Sequence, residues 1–360
     1  MRRRDNSMLN FVGQNLYIGI DVHLRSWSVA ILSENATLKK FSQNADPIIL
    51  ANYLNNNYPG ARYYSVYEAG FCGFWIHRKL TELGINNIIV NPADVPTMVK
   101  EKLRKTDAVD CVKLARGLRS GDLKSIFIPN NECLEIRSLI RLRNSIVKDT
   151  TREKNRIKAL LYFYGIDIPE EFHNTTGPWP KRFLQWLREV DLSTEYGRKV
   201  LDMHIEQYCN LKGLLLQETR AIRKIYHDGE FSETLPLITS VPGVGLITGI
   251  SFLSEICDIR RFKSSDQLAA YVGLIPMCHS SGEKECDGDI TIRSHKALRC
   301  NIIESAWKAI KHDPALTLAY ENYRKRMNAN KAIVKIARKL INRIYFVLKY
   351  KQKYVQCVVE

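Results

Sequence analysis

Two aspartates three residues apart, Asp107 and Asp110, are the first candidates for chemistry in this chain. Thr106 before them is a good helix N-cap, and apolar residues recur behind them at helical spacing. Residues at i and i+3 share a helix face, so the pattern predicts two carboxylates side by side. Such a pair suits a divalent metal; an acidic first turn favoured by the helix dipole is the alternative.

Two more acids lie in segments that read as strands. Asp21 follows Gly19-Ile20 in a β-rich run, although aspartate is disfavoured inside strands. Strand alternation puts Gly19 and Asp21 on one face, where the missing side chain of Gly19 is expected to leave room beside the carboxylate. Glu68 ends a second strand, just before a turn at Gly70.

The elements that position these acids are predicted in the order three strands, helix, strand, helix, strand, helix over the first 125 residues. This arrangement resembles the RNase H-like, RuvC-type nuclease fold. The resemblance implies that Asp21, Glu68, Asp107 and Asp110 converge on Mg²⁺, which can hold the attacking and leaving oxygens of a phosphodiester. Actin-like sugar kinases also begin with Gly-Ile-Asp, but no glycine follows Asp21 to let the backbone approach a phosphate.

The composition indicates a polyanionic partner. Lys and Arg number 54 against 38 Asp and Glu, which gives a formal charge of +16, and basic residues recur along most of the chain. No apolar run approaches the roughly 20 residues of a membrane span, so a cytoplasmic protein without membrane contact is expected. Nine cysteines without a Cys-x-x-Cys pair fit reduced thiols, and the spacing of Cys278, His279, Cys286 and His295 fits no common zinc site.

Two long helical segments are predicted in the middle of the chain, from Cys133 to about Gly165 and from Glu195 to Asp228. Together they indicate an antiparallel helical hairpin or coiled-coil arm. The first is rich in basic residues, among them Arg152 and Arg156, which are candidate contacts for a nucleic-acid backbone. The hypothesis is an arm that contacts another protomer and nucleic acid; a solvated helical spacer is the alternative.

A glycine-rich turn, Pro242-Gly-Val-Gly245, has the form of a helix-hairpin-helix. Backbone N–H groups near Gly243 and Gly245 could bind phosphate without reading base sequence, although a purely structural turn would carry the same glycines. Further on, residues 277–286 are predicted to form a polar loop with adjacent serines, Ser280 and Ser281.

Several motifs together carry a specific resemblance. They are the Gly19-Ile-Asp21 strand, Tyr67-Glu-Ala-Gly70, Lys105-Thr-Asp-Ala-Val-Asp110, Val241-Pro-Gly-Val-Gly245, Tyr271-Val-Gly-Leu-Ile-Pro276, Ser280-Ser-Gly-Glu283 and Leu298-Arg299. Over nearly the whole chain this resembles the IS110 family of insertion-sequence transposases, which is related to the Piv-type DNA invertases. The resemblance implies a RuvC-like domain with the four acids, a C-terminal transposase domain, guidance by a structured bridge RNA, and a nucleophilic serine before the loop glycine. That serine is Ser281, with Ser280 as its neighbour.

The chemistry that the resemblance implies is attack by the serine hydroxyl on a DNA phosphate, giving a covalent phosphoserine link. Because a free serine hydroxyl is a poor nucleophile, Mg²⁺ is expected to act at the same phosphate, in a composite site completed between subunits of a dimer or tetramer. Lys284, Arg293 and Arg299 are candidate phosphate contacts. Where the family has Ile-Thr-Lys-x-Gly-Asn, this chain has Ile290-Thr-Ile-Arg-Ser-His295, and Ser294 would be strained if that position needs a positive φ.

The sequence therefore predicts three domains: a RuvC-like α/β domain at 1–125, a helical arm at 126–232, and a mainly α transposase domain with the serine at 233–360. The predicted function is RNA-guided DNA transposition or recombination. A RuvC-like nuclease that uses a metal-activated water, a Piv-like invertase, and a basic scaffold without enzymatic activity are the alternatives.

Overall fold

The computed structural model describes residues 11–96, 107–173, 177–281 and 284–356, and for residues 107, 108, 278–281 and 284–289 it gives the backbone alone. The chain divides into two compact units, Met1–Ile128 and Pro129–Glu360. The predicted N-cap Thr106 and the basic residues 100–105 lie outside the described residues.

The first unit is built on a five-stranded mixed sheet in the order β3-β2-β1-β4-β5. Strands β1, β2 and β3 pair antiparallel, whereas β4 runs parallel to β1 and β5 parallel to β4. The elements are β1 (Asn15–Val22), β2 (Ser26–Leu32), β3 (Thr37–Asn44), α1 (Pro47–Asn57), β4 (Arg62–Glu68), α2 (Trp75–Glu82), β5 (Asn86–Val90) and α3 (Asp107–Ser120), with a 3₁₀ turn at Pro92–Asp94. The predicted element order is confirmed.

Helices cover both faces of this sheet because its inner strands are apolar on both sides. Ile18 and Ile20 face one way and pack with Leu50 of α1 and Leu80 of α2. On the other face, the β2 residues Ala30 and Leu32 pack with three residues of α3, which are Cys111, Val112 and Ala115. The sheet is thus sandwiched, with α3 alone among these three helices on the second face.

The second unit begins with the predicted helical hairpin. Helix α4 (Asn131–Phe163) packs against α7 (Glu195–Asp228), and the short helices α5 (Glu170–His173) and α6 (Lys181–Glu189) lie between them in sequence. Asn130 contacts Glu230, and Glu153 contacts His204, so the contacts run in reversed sequence order and the pair is antiparallel. A small core around Trp179, Phe183 and Tyr208 closes the far end of the hairpin.

The rest of the second unit is mainly helical. Its elements are α8 (Leu235–Thr239), α9 (Leu246–Ile256), α10 (Ser265–Val272), β6 (Pro276–Ser281), β7 (Lys284–Ile290), α11 (Lys296–Ala309), α12 (Pro314–Arg324) and α13 (Ala329–Tyr350), with a 3₁₀ turn at Ile259–Arg261.

One core joins α8–α13 to the beginning of α4, where Cys133, Ile136 and Ile140 are buried with α13 residues such as Ile336 and Leu340. The amphipathic C-terminal helix packs on this region as predicted. The boundary between arm and transposase domain at 232/233 stays a prediction, since the base of α4 shares this core.

The polar loop expected at 277–286 is wrong: most of these residues form the antiparallel hairpin of β6 and β7. Strand periodicity was a weak guide here, because the segment lacks alternating apolar residues and its strands form by backbone pairing. Within the described residues, no helix combines the length and apolar character needed to cross a bilayer.

Candidate functional site

Two of the predicted acids come together through the register of the parallel strands β1 and β4. Ile20 pairs with Tyr67, so Asp21 and Glu68 are the next residues on neighbouring strands, at the carboxyl ends of both. Asp21 shares a face with Gly19, which lies under α3, and Glu68 shares a face with Val66, which packs against Leu114 of α3. Both carboxylates therefore belong to the sheet face that α3 covers.

The start of α3 supplies the third described acid. Asp110 lies in its first turn, next to Cys111. Burial raises the pKa of the Cys111 thiol to about 11, and the negative charge of Asp21 contributes to this rise. Asp21 is therefore close enough to the first turn of α3 to act on it electrostatically. Asp107 begins the same helix, and its side chain lies outside the described part.

Gly19 has a different role from the expected one. A Cβ at this position would lie 1.9 Å from the carbonyl oxygen of Cys111 and 2.6 Å from the amide nitrogen of Ala115. The missing side chain makes room for the backbone of α3, not only for the neighbouring carboxylate. This close approach is what brings the first turn of α3 down to the sheet beside Asp21.

Each described carboxylate of the pair Asp21 and Asp110 has a nitrogen partner. His23 Nε2 lies 3.2 Å from Asp21 Oδ2, and Lys113 Nζ lies 3.3 Å from Asp110 Oδ1. The side chains of the two acids are 24% and 20% exposed, so solvent and ligands can reach them. Sequence reasoning missed His23 and Lys113. The available signals were the spacing of His23, two residues after Asp21 at the end of β1, and of Lys113, three residues after Asp110 on a helix.

The donors of this group are all carboxylate oxygens, which fit Mg²⁺ better than a soft-ligand metal. Among the side chains that are described, which exclude Asp107, no three His, Cys, Asp or Glu residues form a group that could hold a metal ion. Of the zinc alternative, Cys278, His279 and Cys286 lie outside the described side chains, while His295 pairs with Glu255 at 3.2 Å.

The two serines lie at the end of the β6–β7 hairpin. Ser280 pairs with Glu285 and Ser281 with Lys284, so Ser281 is the last residue of β6. The side chains of both serines and of Lys284 are outside the described part. At the other end of the hairpin, the Thr291 amide donates to the Ile275 carbonyl at 3.1 Å.

The basic candidates beside this hairpin differ in their surroundings. Arg299 Nη1 donates to the carbonyl oxygens of Thr291 at 2.7 Å and Gly273 at 3.5 Å, so its guanidinium is engaged with backbone. Arg293 is exposed. The condition for strain at Ser294, a positive φ, is not met: the described non-glycine residues with positive φ are Cys257 and Lys351, and the left-handed residue nearby is Gly273, at φ 86°.

The predicted glycine turn joins α8 to α9. Gly243 has φ +84°, and a Cβ there would lie 2.2 Å from the carbonyl oxygen of Ser305 on α11. Its conformation and its packing against α11 both explain this glycine without a ligand. Gly245 is the N-cap of α9, where no side chain caps the helix and nothing lies within 4 Å of its Cβ position.

The two arginines of the arm lie on α4 and are exposed. Arg152 pairs with Asp149 at 2.7 Å and Arg156 with Glu153 at 2.9 Å, and their side chains remain 66% and 58% exposed. Glu153 is fully buried and also contacts His204 Nδ1 at 2.5 Å. Arg156 therefore sits over a buried carboxylate that partly neutralises it, whereas Arg152 pairs with a surface acid.

Comparison with known proteins matches two family models to this chain. Residues 18–166, which include all four acids, match a model described as a transposase of the DEDD type found in IS110. Residues 235–321, which include the glycine turn and the serine hairpin, match the model of the Transposase IS116/IS110/IS902 family.

Individual relatives cover more of the chain. The y4rJ protein of Sinorhizobium fredii is 27% identical over 365 residues, which span 91% of this chain and 90% of that protein. The transposase for insertion sequence element IS1111A of Coxiella burnetii is 28% identical over 251 residues, 68% of this chain.

The extent of the match differs among these relatives. The chain spans less than two thirds of the Coxiella protein, at 64%, and of the y4qE protein of Sinorhizobium fredii, at 58%. The 43.6 kDa protein of insertion element IS110 of Streptomyces coelicolor is 30% identical over 286 residues, 68% of this chain and 71% of that protein. With the two family models, these matches establish that the chain belongs to the IS116/IS110/IS902 family of transposases.

Proposed function

We propose that this transposase cleaves and rejoins DNA strands through a covalent phosphoserine at Ser281, with Mg²⁺ held by Asp21, Glu68, Asp107 and Asp110. The observation that carries the proposal is the meeting of Asp21 and Glu68 at consecutive register positions, under the helix that begins with Asp107 and Asp110. The three elements that carry these acids, β1, β4 and α3, pack against one another, which is the arrangement that a phosphoryl-transfer centre with carboxylate ligands would need.

The fold of the first unit is proposed to be RNase H-like, of the RuvC type. Its support is the strand order β3-β2-β1-β4-β5 with antiparallel β1–β3 and parallel β4 and β5. In such a sheet the carboxyl ends of β1 and β4 meet, so residues there form one edge. Asp21 and Glu68 occupy that edge.

When bound, Mg²⁺ would supply positive charge to a scissile phosphate and orient it. The contributions of the chain itself follow from its contacts. The carboxylates of Asp21, Glu68, Asp107 and Asp110 would hold the ion, and the partners His23 and Lys113 keep Asp21 and Asp110 in place at 3.2 and 3.3 Å. Without an ion, clustered carboxylates repel one another and destabilise the region.

The role proposed for Ser281 is that of nucleophile. Its Oγ forms a bond to phosphorus and gives up its proton to solvent, the bond from phosphorus to the deoxyribose oxygen breaks, and that oxygen takes up a proton from solvent as it leaves. Since the phosphodiester energy stays in the serine ester, a second DNA hydroxyl can attack the ester and rejoin the strand without a further energy source. The place of Ser281 at the last position of β6 supports this role, because a residue at the end of a hairpin can approach a DNA backbone.

A second copy of the chain is the proposed partner of the arm. Exposed residues follow each other on α7 at alternating spacings of four and three, which is the pattern of a coiled-coil seam: Tyr196, Val200, Met203, Gln207, Asn210 and Leu214. The opposite face of α7, with Leu201, Ile205 and Tyr208, is already buried against the arm. A dimer, or a tetramer built from dimers, would cover the seam.

The remaining partners are DNA and a structured guide RNA. The formal charge of +16 supports a polyanion, and the exposed guanidinium groups of Arg152 and Arg156 on the arm are candidate backbone contacts. Guidance by a bridge RNA rests on the family to which the chain belongs. We propose that the protein acts on the genome in the cytoplasm.

The decisive experiment is a denaturing gel of end-labelled element-end DNA. The protein is purified with the RNA that it retains and incubated with Mg²⁺ or with EDTA, and wild type is compared with Ser281→Ala and with Ser280→Ala as the matched control. A protease-sensitive protein–DNA adduct that needs Mg²⁺ and disappears only in Ser281→Ala is expected.

Other outcomes lead to the alternatives. Cleavage without an adduct in any variant would indicate a nuclease that activates water. Loss of the adduct in Ser280→Ala alone would move the nucleophile by one residue. Binding without cleavage under all conditions would favour a scaffold.

A further inference from the structure

The root of the β6–β7 hairpin is attached to a buried charged cluster that the proposed chemistry does not use. The root is formed by Ile275 on the entering side and by Thr291 to His295 on the leaving side. Arg299 holds the carbonyl of Thr291, and the backbone amide of His295 donates to the Tyr271 carbonyl at 3.3 Å. The hairpin therefore extends from a base fixed to α10 and α11.

His295 makes two side-chain hydrogen bonds in opposite directions. Its Nδ1 accepts from the Leu298 amide at 3.3 Å, as the N-cap of α11, which leaves Nε2 as the donor nitrogen. Nε2 lies 3.2 Å from Glu255 Oε2 and donates to it. One ring thus ties the residue that ends the hairpin root to the last turn of α9.

Glu255 is a buried charge with a full set of partners. Arg137 Nε lies 2.9 Å from Oε2, and Arg141 Nη2 lies 3.0 Å from Oε1. Burial raises the pKa of Glu255, but the hydrogen bond from His295 and the charges of Arg137 and Arg141 outweigh it, so the pKa is lowered overall. The carboxylate stays ionised and can accept the bond from His295.

Arg137 also donates to the Ser254 carbonyl at 3.0 Å, and the Tyr271 hydroxyl donates to the Glu255 carbonyl at 3.3 Å. The cluster therefore links the base of α4, the end of α9, α10 and the start of α11. A buried ion cluster is a weak way to stabilise a fold compared with apolar packing, but its directional bonds define one geometry. The position of His295, which precedes α11 at the hairpin root, depends on this cluster.

We propose that Glu255 and His295 are positioning residues for Ser281. They fix the position and orientation of the hairpin root relative to α9, α10 and α11. This inference rests on the proposed serine chemistry. A nucleophile at the end of a hairpin magnifies any rotation at the root, and a displacement near 1 Å can cost about 100-fold in rate. Release of the root slows the reaction of bound DNA and leaves the binding of DNA intact.

The test uses His295→Asn in the full chain with its retained RNA. Asparagine is a preferred N-cap, so it keeps the bond from the Leu298 amide, but it is too short to reach Glu255. Glu255→Gln is the second variant, which keeps the side-chain shape and removes the charge. Arg343→Gln is the matched control: it breaks the 3.0 Å pair with the buried Asp313, elsewhere in the same unit.

Three quantities are measured for each variant: the rate of adduct formation on DNA bound beforehand, the DNA affinity, and the thermal midpoint. We expect His295→Asn and Glu255→Gln to slow adduct formation by about 10- to 100-fold with unchanged affinity. Arg343→Gln should lower the midpoint at least as much and leave the rate unchanged. An equal rate loss in the control, or a parallel loss of affinity, would overturn the inference.

Failure of the proposed function is recognised separately. If the wild type forms no adduct at all, hydrogen exchange of the backbone amides at 276–281 and 284–290 still tests the attachment. Faster exchange there in His295→Asn than in Arg343→Gln supports the positioning role, and equal exchange rules it out.

Discussion

Gly19 of β1 lies directly under the carbonyl oxygen of Cys111 on α3, at a distance that leaves no space for a side chain: a Cβ on residue 19 would be 1.9 Å from that oxygen. This contact sets how closely the helix that begins with Asp107 and Asp110 approaches the strand that carries Asp21. The geometry of the proposed metal site therefore depends on a residue that carries no functional group.

Replacing Gly19 with alanine should push α3 away from the sheet. We expect Gly19→Ala to destabilise the chain by about 1 to 3 kcal/mol, the usual cost of overpacking, and to reduce Mg²⁺-dependent cleavage more than DNA binding. Urea unfolding measures the first effect. Gly213→Ala is the control, since this helical glycine in α7 has open space around its Cβ position and the change should be neutral or stabilising. Equal stability of the Gly19 variant and wild type would contradict the close packing.

Binding of Mg²⁺ should appear as stabilisation before any cleavage is measured. We expect the thermal midpoint of wild type to rise with Mg²⁺, because a ligand that binds the folded state stabilises it. Asp21→Asn should lose this rise, and in EDTA it should be at least as stable as wild type because one repelling charge is removed. Asp202→Asn, on the exposed side of the arm, is the control. An undiminished response in Asp21→Asn would argue against a metal at these acids.

Glu255 gives a specific pH dependence. Its pKa in the folded chain lies below the ordinary value of 4.5, so the stability that it contributes is present above pH 4.5 and is lost as the pH falls through the folded-state pKa. Glu255→Gln should cost about 3 kcal/mol at pH 7, since it leaves the largely buried guanidinium of Arg137 without its counter-charge. This difference from wild type should shrink towards pH 3 in urea unfolding. A difference that stays constant over this range would mean that Glu255 is not ionised in the folded state.

The arm arginines should act through charge alone. Arg152→Ala and Arg156→Ala should each weaken nucleic-acid binding for all sequences and reduce the slope of log K against log salt by about one. Arg299→Ala should leave the slope unchanged, because its guanidinium holds backbone carbonyls. Filter binding at several salt concentrations distinguishes these cases. A reduced slope for Arg299→Ala would indicate that Arg299 contacts phosphate after all.

Association through the exposed seam of α7 is tested by a charge at its centre. We expect Met203→Glu to shift the protein towards monomer in sedimentation velocity, because the uncharged seam offers no partner for a buried carboxylate. Leu216→Glu is the control, since Leu216 is also an exposed apolar residue of α7 but lies off the seam. Unchanged mass in the Met203 variant, or a monomeric wild type, would contradict the proposed contact.

Much of the first unit follows from local patterns. Alternation in β1 and β2, the helix from Pro47 and the helix that starts at Asp107 are all properties of short segments, and the structure bears them out. The hairpin that carries Ser281 was missed because it has no such local pattern. Its strands lack an apolar face and form through pairing with each other.

The roles of single residues were harder to predict than the elements. Arg299 has the type and position of a phosphate contact, yet it bonds to Thr291 and Gly273. Gly243 has the type expected at a phosphate-binding turn, yet its close approach to Ser305 explains it. In both cases the competing partner comes from a distant segment of the chain, which no local spacing reveals.

The sequence by itself determined the kinds of chemistry available to this protein: four acids in a set order, a serine beside a glycine, a basic chain and the motifs of a transposase family. Only the tertiary structure decided which groups meet. The register of two parallel strands places Asp21 and Glu68 at neighbouring strand ends, and Glu255 reaches Arg141 across 114 positions of sequence. Such contacts depend on how helices and strands pack, because burial and hydrogen bonding act between neighbours in space and not between neighbours in the chain.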